Sequence, residues 1–400
     1  MRSSISGMKQ LSIKRSAKDL CPFPPRKKPR NTIRLIVGFV LILSLVTSYH
    51  LFLRSPKKDI ELLMVYGSEK RAWIEEVTPL FEERWTQNHP ETSLRLDFTP
   101  LGSRESMLQI VRETVTPTVW SPASSLWIPL MNFLWNEQHP KDAEKGFILV
   151  ENASPLVLSP IVIGTWSNFK HENNITGFVS LHELATQPDS ELKYAHTDPQ
   201  LSNSGFLSVV LEVSSALGKT PDQLTESDLT NKAMIKWLTE LESHAVFYGT
   251  STGFLAEKAV SEGPQALNAF VIYENLIIDS NLYSVDKDRW GEQLEAVYPV
   301  EGSIMNDHPY AILQGEWVSQ EQKDAAEEFL AFLLSPEIQQ KAMASGFRPA
   351  NPEIPPDPSI FNPDNGVQMN IGVPIHDFRN VDAVVLWRIP DVWLITRRSD

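Results

Sequence analysis

Cysteine is nearly missing from this chain: Cys21 is the single one in 400 residues. A disulfide framework and a cysteine-rich zinc site are therefore excluded. Cys21 also precedes the one long apolar segment, so no cysteine comes after that segment to carry a lipid. Histidine is sparse and scattered. His139, His171, His182, His196, His244 and His308 are each expected to face solvent or to be satisfied locally. His182-Glu183 lacks the second histidine of a zinc helix, and neither a P-loop nor a Gly-rich dinucleotide turn is present. The expectation is no metal and no cofactor. Basic residues are scarce beyond residue 58. Residues 1–58 hold thirteen Lys/Arg against Asp19 alone, a net +12. With the whole chain at −14, the remainder stands at −26. Such a surface excludes nucleic acid as a partner.

The long apolar segment is Leu35 to Leu53 (LIVGFVLILSLVTSYHLFL), free of Asp, Glu, Lys and Arg. At about 1.5 Å per residue it is just long enough to cross a bilayer core. Its basic flank places 1–34 as a cytoplasmic tail and the acidic bulk outside the cytoplasm. A cleaved signal peptide, with Val46 and Ser48 before the cut, is the alternative. The long N-terminal region and the length of the apolar run favour an uncleaved anchor at 35–53.

Beyond residue 58 the chain is rich in alternation. DIELLMVYG (59–67) reads as a buried strand. SEKRAWIEEVTPLFEERW (68–85) reads as a helix with Trp73, Val77, Leu80, Phe81 and Trp85 on one face. Strand-like and helix-like segments continue to alternate to the C-terminus, with ALNAFVIYENLII taken as strand. A Pro-rich stretch, 348–366, is expected to be a surface loop. The pattern implies α/β architecture, and the length implies two lobes. The long strand 155–166 and the segment near 300–310 are the candidate crossings between them.

Small polar residues recur between a strand and the helix after it: Gly67-Ser68, Gly102-Ser103, Ser121 with Ser124 and Ser125, and Ser202-Asn203-Ser204-Gly205. Each turn alone reads as a helix cap, since Ser and Asn satisfy free N–H groups. Ligands of open α/β sheets sit at the carboxyl ends of strands, so the four turns together suggest one cleft.

The segments LLMVYGSEKRAWIEEVTPLFEE, SPASSLWIPLMN, YAHTDPQLSNSGFLSVVLE, FVIYENLII, YPVEGSIMNDHPYAIL and AAEEFLAFLLSPEIQQKAMASGFRPA resemble bacterial extracellular solute-binding proteins. The resemblance spans residues 59–395 and is to the type II periplasmic-binding-protein fold, in the branch with molybdate-type binding proteins. It implies two α/β lobes, 59–160 with 305–400 and 161–304, closing on a small polar solute by a hinge. An ABC-type permease would be the partner. Matched residue by residue, it implies Ser68, Ser125, Ser204, Glu274 and Tyr298 as ligand-facing, with Trp120, Ser124, Asn203 and Tyr248 behind them. Core packing is the competing role for Trp120 and Tyr298. A buried Glu274 needs a partner. If it faces the ligand, the solute should offer a donor or a cation, as a sugar, amine or metal does. The anchor departs from the family and points to a tethered receptor. A ligand-sensing or structural ectodomain of a membrane assembly is the alternative.

An enzyme reading has one foothold. Gly249-Thr250-Ser251-Thr252-Gly253 fits G-x-S-x-G between a strand and a helix. Asp286, Asp307 and His308 or His376 could complete a hydrolase triad around Ser251. No upstream oxyanion motif accompanies it, and the expectation is a binding protein without catalysis.

Overall fold

The computed structural model describes residues 37–46, 57–286, 288–377 and 381–397. The chain divides into two compact units, Met1–Pro56 and Lys57–Asp400. In the first, residues 37–46 form helix α1, with nearly all side chains exposed. The basic tail and the remainder of the 35–53 segment lie outside the described residues. Among the described residues no helix is long and apolar enough to cross a membrane.

The second unit opens with β1 (Lys58–Tyr66), α2 (Arg71–Asn88), β2 (Thr92–Pro100), α3 (Ser103–Val111) and β3 (Val119–Ser121). Helix α2 buries Trp73, Ile74, Val77, Phe81 and Trp85. Those positions recur every three to four residues and form one apolar stripe. Leu80, expected on that face, is turned outward and Ile74 takes its place. Helices α4 (Trp127–Gln138) and α5 (Pro140–Glu144) come next, then the short β4 (Ser154–Pro155).

The long β5 (Val157–Trp166) is buried almost throughout. Then come α6 (Ser167–Asn173), α7 (Phe178–Ala185), β6 (Tyr194–Thr197), α8 (Asn203–Leu217) and α9 (Lys232–Glu242). β7 (Ala245–Gly249), α10 (Thr252–Glu262), β8 (Ala269–Tyr273), α11 (Glu274–Tyr283), β9 (Leu294–Val297) and β10 (Ser303–Asn306) complete this stretch. The segment ALNAFVIYENLII is thus not one strand: it turns helical at Glu274. After it come β11 (Pro309–Ile312), α12 (Gln320–Leu333), α13 (Pro336–Ala344), β12 (Arg348–Pro349), β13 (Ile375–His376) and α14 (Ala383–Arg397).

Two sheets organise these elements. One runs β2-β1-β3-β11-β4, with β1 parallel to β2 and β3. The other runs β13-β10-β5-β8-β6-β7, with β9 and β12 also paired to β5. The chain passes from the first sheet to the second between β4 and β5, and back between β10 and β11. β5 and β10 are themselves paired, Ser159 opposite Asn306. These adjacent connections carry two of the covalent links between the lobes; a third follows α13, where β12 pairs with β5.

An aromatic core of Trp73, Phe81, Phe329, Phe332 and Tyr310 packs α2 and α12 against the first sheet. The second core gathers Phe178, Phe206, Phe270, Val271 and Ile272 around β5, β8 and α8. Helix α8 is buried from Asn203 to Ser214 because, Asn203 and Glu212 apart, its sequence there is apolar or small all round. Helix α14 packs against α8 and α9. The assignment of all of 305–400 to the first lobe therefore fails at α14, as it does at β12 and β13, which pair in the second sheet. Val385, Ile389, Val392 and Trp393 cover apolar surface on the second lobe.

Candidate functional site

The strand ends that carry small polar residues meet where the lobes face each other. Ser68 begins a 3-10 turn directly after β1. Its Oγ lies 2.7 Å from Ser251 Oγ and accepts the Gly253 N–H at 3.0 Å. Ser251 and Gly253 start α10 on the other lobe. A helix start exposes unpaired N–H groups and a partial positive charge; here a serine of the opposite lobe supplies the acceptor. Ser204, at the start of α8, shares hydroxyl contacts of 2.8 Å with Thr197 and with Thr252. Ser202 lies 3.3 Å from the same Thr252 hydroxyl. All these hydroxyls are buried.

Further bonds cross the lobes beside this cradle. The Glu105 N–H donates to Leu201 O at 2.9 Å, and Arg104 donates to Gln200 O at 3.1 Å. Arg71 pairs with Glu257. Trp127 Nε1 donates to Asn203 Oδ1 at 2.8 Å. Asn203 Nδ2 then donates to Tyr273 Oη at 2.9 Å and to Asn306 Oδ1 at 2.8 Å. Two glycines permit the approach. A Cβ on Gly102 would stand 2.5 Å from Leu201 O, and one on Gly253 would stand 2.7 Å from Ser68 O. The lobes are closed directly on one another.

Beneath the cradle lies a buried charged group. Lys70, fully buried, donates to Glu69 Oε1 at 2.8 Å and to Pro122 O at 3.3 Å. His308 Nδ1 is 3.0 Å from the same Glu69 oxygen. Burial alone would raise the Glu69 carboxyl; the Lys70 ammonium and the His308 ring outweigh it and bring it from 4.5 to about 2. Burial lowers the pKa of Lys70 and of His308, with Glu69 opposing the shift in both. A neutral His308 donates through Nδ1, so its Nε2 is a buried acceptor with no hydrogen-bond partner among the described residues. Asn275 Nδ2 donates to Glu69 O at 3.2 Å, while Asn275 Oδ1 accepts from Ser159, tying the group to β5 and α11.

The nine residues expected at a site separate into groups. Ser68, Asn203 and Ser204 come together in the cradle. Ser124 is buried nearby, its Oγ accepting from Leu126 N at 3.3 Å. Ser125 is exposed, and its backbone N–H donates to Asp307 Oδ1 at 2.8 Å. Trp120 is a core residue whose Nε1 donates to Ser106 Oγ. Tyr248 donates to Glu242 at 2.7 Å, in a separate cluster of the second lobe.

Glu274 and Tyr298 are placed elsewhere by a partner the sequence did not disclose. Arg348 grips Glu274 in a fork, Nε to Oε2 at 2.6 Å and Nη2 to Oε1 at 2.8 Å. Tyr298 Oη donates to the same carboxylate. Arg348, the first residue of the Pro-rich stretch, also donates to Met369 O and Gln368 O just beyond its end, which ties the two ends together. Glu274 thus has its counter-charge within the chain, and its expected ligand-facing role is withdrawn.

The hydrolase arrangement is likewise absent from the geometry. Ser251 Oγ bonds to Ser68, His308 to Glu69, and His376 Nε2 to Glu301 O at 3.0 Å. Ser251 has extended backbone, φ −155°, not the strained elbow of that motif. The expectation of purely local or solvent satisfaction also fails for His196 and His308, both fully buried and hydrogen-bonded to glutamates far along the chain. Sequence reasoning missed Glu69, Lys70, Trp127, Thr252, Tyr273, Asn275 and Asn306. Their one signal was position: each lies within a few residues of a strand end.

Comparison with known proteins adds to this geometry. The family model described as bacterial extracellular solute-binding protein matches residues 62–348. A comparison with curated protein sequences finds no match. Among solved structures, the chain is similar to the periplasmic binding protein AfuA from Actinobacillus pleuropneumoniae, described with exogenous fructose-6-phosphate bound. The identity is 16%, over 85% of this chain and 99% of that one, at TM-score 0.56. It is similar to a periplasmic thiamin binding protein at 13% identity, over 85% and 96% of the chains, at TM-score 0.56. A ferric binding protein from Campylobacter jejuni is 13% identical, over 84% and 98%, at TM-score 0.55. At these identities the likeness shows the two-lobed periplasmic-binding-protein fold.

Proposed function

The chain belongs to the bacterial extracellular solute-binding protein family, and we propose that its solute carries an oxyanion, such as a phosphate ester or a free oxyanion. The solute is held between the lobes and passed to an ABC-type permease. The observation that carries this reading is the set of neutral donors at the starts of α8 and α10. The Gly253 N–H and the hydroxyls of Ser68, Ser204, Ser251 and Thr252 converge on one buried spot. Helix starts and hydroxyls are how proteins hold oxyanions without a full counter-charge. Engagement of Glu274 by Arg348 removes the carboxylate that would have repelled such a solute. Glu69, a second carboxylate near the cradle, is paired with Lys70.

In this reading the closed, direct contact of the lobes is the resting arrangement. A solute enters by separating Ser68 from Ser251 and Gly253, then accepts the same N–H and hydroxyl donors. A second reading, an ectodomain that closes on itself and takes no solute, draws on the same direct contacts. The two differ in ligand-dependent stabilisation. The test is a thermal-shift screen of the full chain with phosphate, sulfate, sugar phosphates, free sugars, amino acids and amines. A binder at 100 times its Kd adds about 2.7 kcal/mol. Stabilisation by phosphate esters or oxyanions, weakened in Ser251→Ala, supports the proposal. Stabilisation by amines or free sugars alone contradicts the oxyanion class, and none by any compound favours the second reading.

Anchoring by 35–53 is part of the proposal, with the lobes outside the cytoplasm. Its support is the apolar run and the basic excess before it. Retention of the full chain in alkali-washed membranes, and release on deletion of 1–56, is the expected result.

A further inference from the structure

A second buried polar cluster lies within the second lobe, apart from the cradle. His196 at the end of β6, Glu212 on α8 and Glu242 on α9 are all fully or almost fully buried. One ligand-capable atom from each lies within 4.8 Å of those of the other two. We infer that His196, Glu212 and Glu242 form a binding site for a divalent transition-metal ion, with zinc as the natural probe.

Three features of the geometry carry this. First, the ring is oriented as a ligating histidine is. His196 Nδ1 bonds the Thr197 carbonyl at 2.7 Å, so Nδ1 carries the proton in the neutral ring and Nε2 is turned toward Glu242 Oε1 at 2.9 Å. A carbonyl on the far nitrogen is the usual support of a metal-bound imidazole. Second, each carboxylate is braced by outer donors. Tyr194 and Ser208 donate to Glu212 Oε1 at 2.6 and 2.7 Å, and Tyr248 donates to Glu242 Oε2 at 2.7 Å. Third, Glu212 Oε2 is buried and has no hydrogen-bond partner among the described residues. An unpartnered carboxylate oxygen in the interior is costly.

Charge points the same way. Two carboxylates are buried together, and their hydrogen-bond partners are a histidine, two tyrosines and a serine. Among the described residues neither carboxylate pairs with a Lys or Arg, and the one counter-charge at hand, a protonated His196, faces Glu242 Oε1 and is what an ion would displace. A divalent ion with a neutral imidazole and two carboxylates makes the group neutral. One nitrogen and two oxygens suit zinc, cobalt or manganese, and zinc with three protein ligands takes a water in the fourth position. Trp393 of α14 closes over His196 and Tyr248, with ring centroids 6.2 and 5.1 Å away. The ion would join β6, α8 and α9 and would enter during folding or when α14 lifts.

The experiment refolds the full chain from denaturant after chelation, with either chelator or one equivalent of zinc, at neutral pH. Bound metal is measured after dialysis, and the melting temperature is recorded. The expected result is one zinc per chain and a melting temperature raised by about 5 °C or more. Glu212→Gln, which keeps the shape and the Tyr194 contact, should lose zinc affinity at least tenfold, while Ser68→Ala, in the cradle, retains the ion. A wild-type chain that refolds without zinc and gains no stability from it overturns the inference. So does zinc that persists in Glu212→Gln and vanishes in Ser68→Ala, because the ion is then a cleft ligand.

Discussion

The cradle and the Glu274–Arg348 clasp both grow from polar residues placed at strand ends, yet they behave differently. In the clasp a fully buried carboxylate meets a guanidinium in two short bonds, and Tyr298 adds a third. Nothing from outside could compete with that arrangement, and it fixes the Pro-rich loop to α11. In the cradle, the neutral Ser68 hydroxyl of one lobe meets a neutral hydroxyl and an N–H of the other. Each such bond is worth only about 1 kcal/mol net. Neutral groups across a cleft can exchange partners; a buried ion pair cannot. The difference separates a fastener from a binding surface, although serine and glutamate at a strand end look equally functional in a sequence.

The comparison is broken most severely from the side of the clasp. Arg348→Met leaves Glu274 buried and unpaired, and should cost about 3–5 kcal/mol in urea unfolding. The double change Glu274→Gln with Arg348→Met should recover much of that loss. A small effect of Arg348→Met would mean that the clasp is not a fastener.

Acid should act next, through Glu69. Its folded pKa of about 2 lies below its ordinary 4.5. Its stabilising contribution is therefore complete above pH 4.5 and is lost as pH falls toward 2. The loss is on the order of 3 kcal/mol. Unfolding midpoints measured at several pH values should fall over this window in the wild type. Glu69→Gln should show a shallower fall, from a lower starting stability because Lys70 loses its counter-charge.

The smallest effect belongs to the cradle. Ser68→Ala removes the acceptor of the Gly253 N–H and one hydroxyl contact. It should leave the melting temperature almost unchanged and weaken solute binding about fivefold. A large loss of stability instead would place Ser68 with the fasteners.

How far the sequence discloses these features depends on the range of each interaction. Alternation of strands and helices, the burial of β1 and the apolar face of α2 are local in origin and were legible. Ser68, Asn203 and Ser204 were legible as residues of helix starts, which have a known demand for small polar side chains. Glu69 and Lys70 were not. Ser-Glu-Lys after a strand reads as an exposed first turn, and both become buried only because His308 and Asn275 arrive from far along the chain. Glu274 was legible as needing a partner, but Arg348 lies 74 positions away with no local mark. Thr252 was hidden in a pattern that also fits a hydrolase elbow.

The central claim is that the lobes part and close about the cradle. Gly102 and Gly253 test it directly. Gly102 has φ −62°, and Gly253 is not among the glycines with positive φ, so alanine suits both backbones. Only contact with the opposite lobe forbids the added methyl groups. Small-angle X-ray scattering of Gly102→Ala with Gly253→Ala should give a larger radius of gyration than the wild type, with an unchanged or higher melting temperature. An unchanged radius with a lower melting temperature would contradict the account, because the contact would then be part of a fixed core.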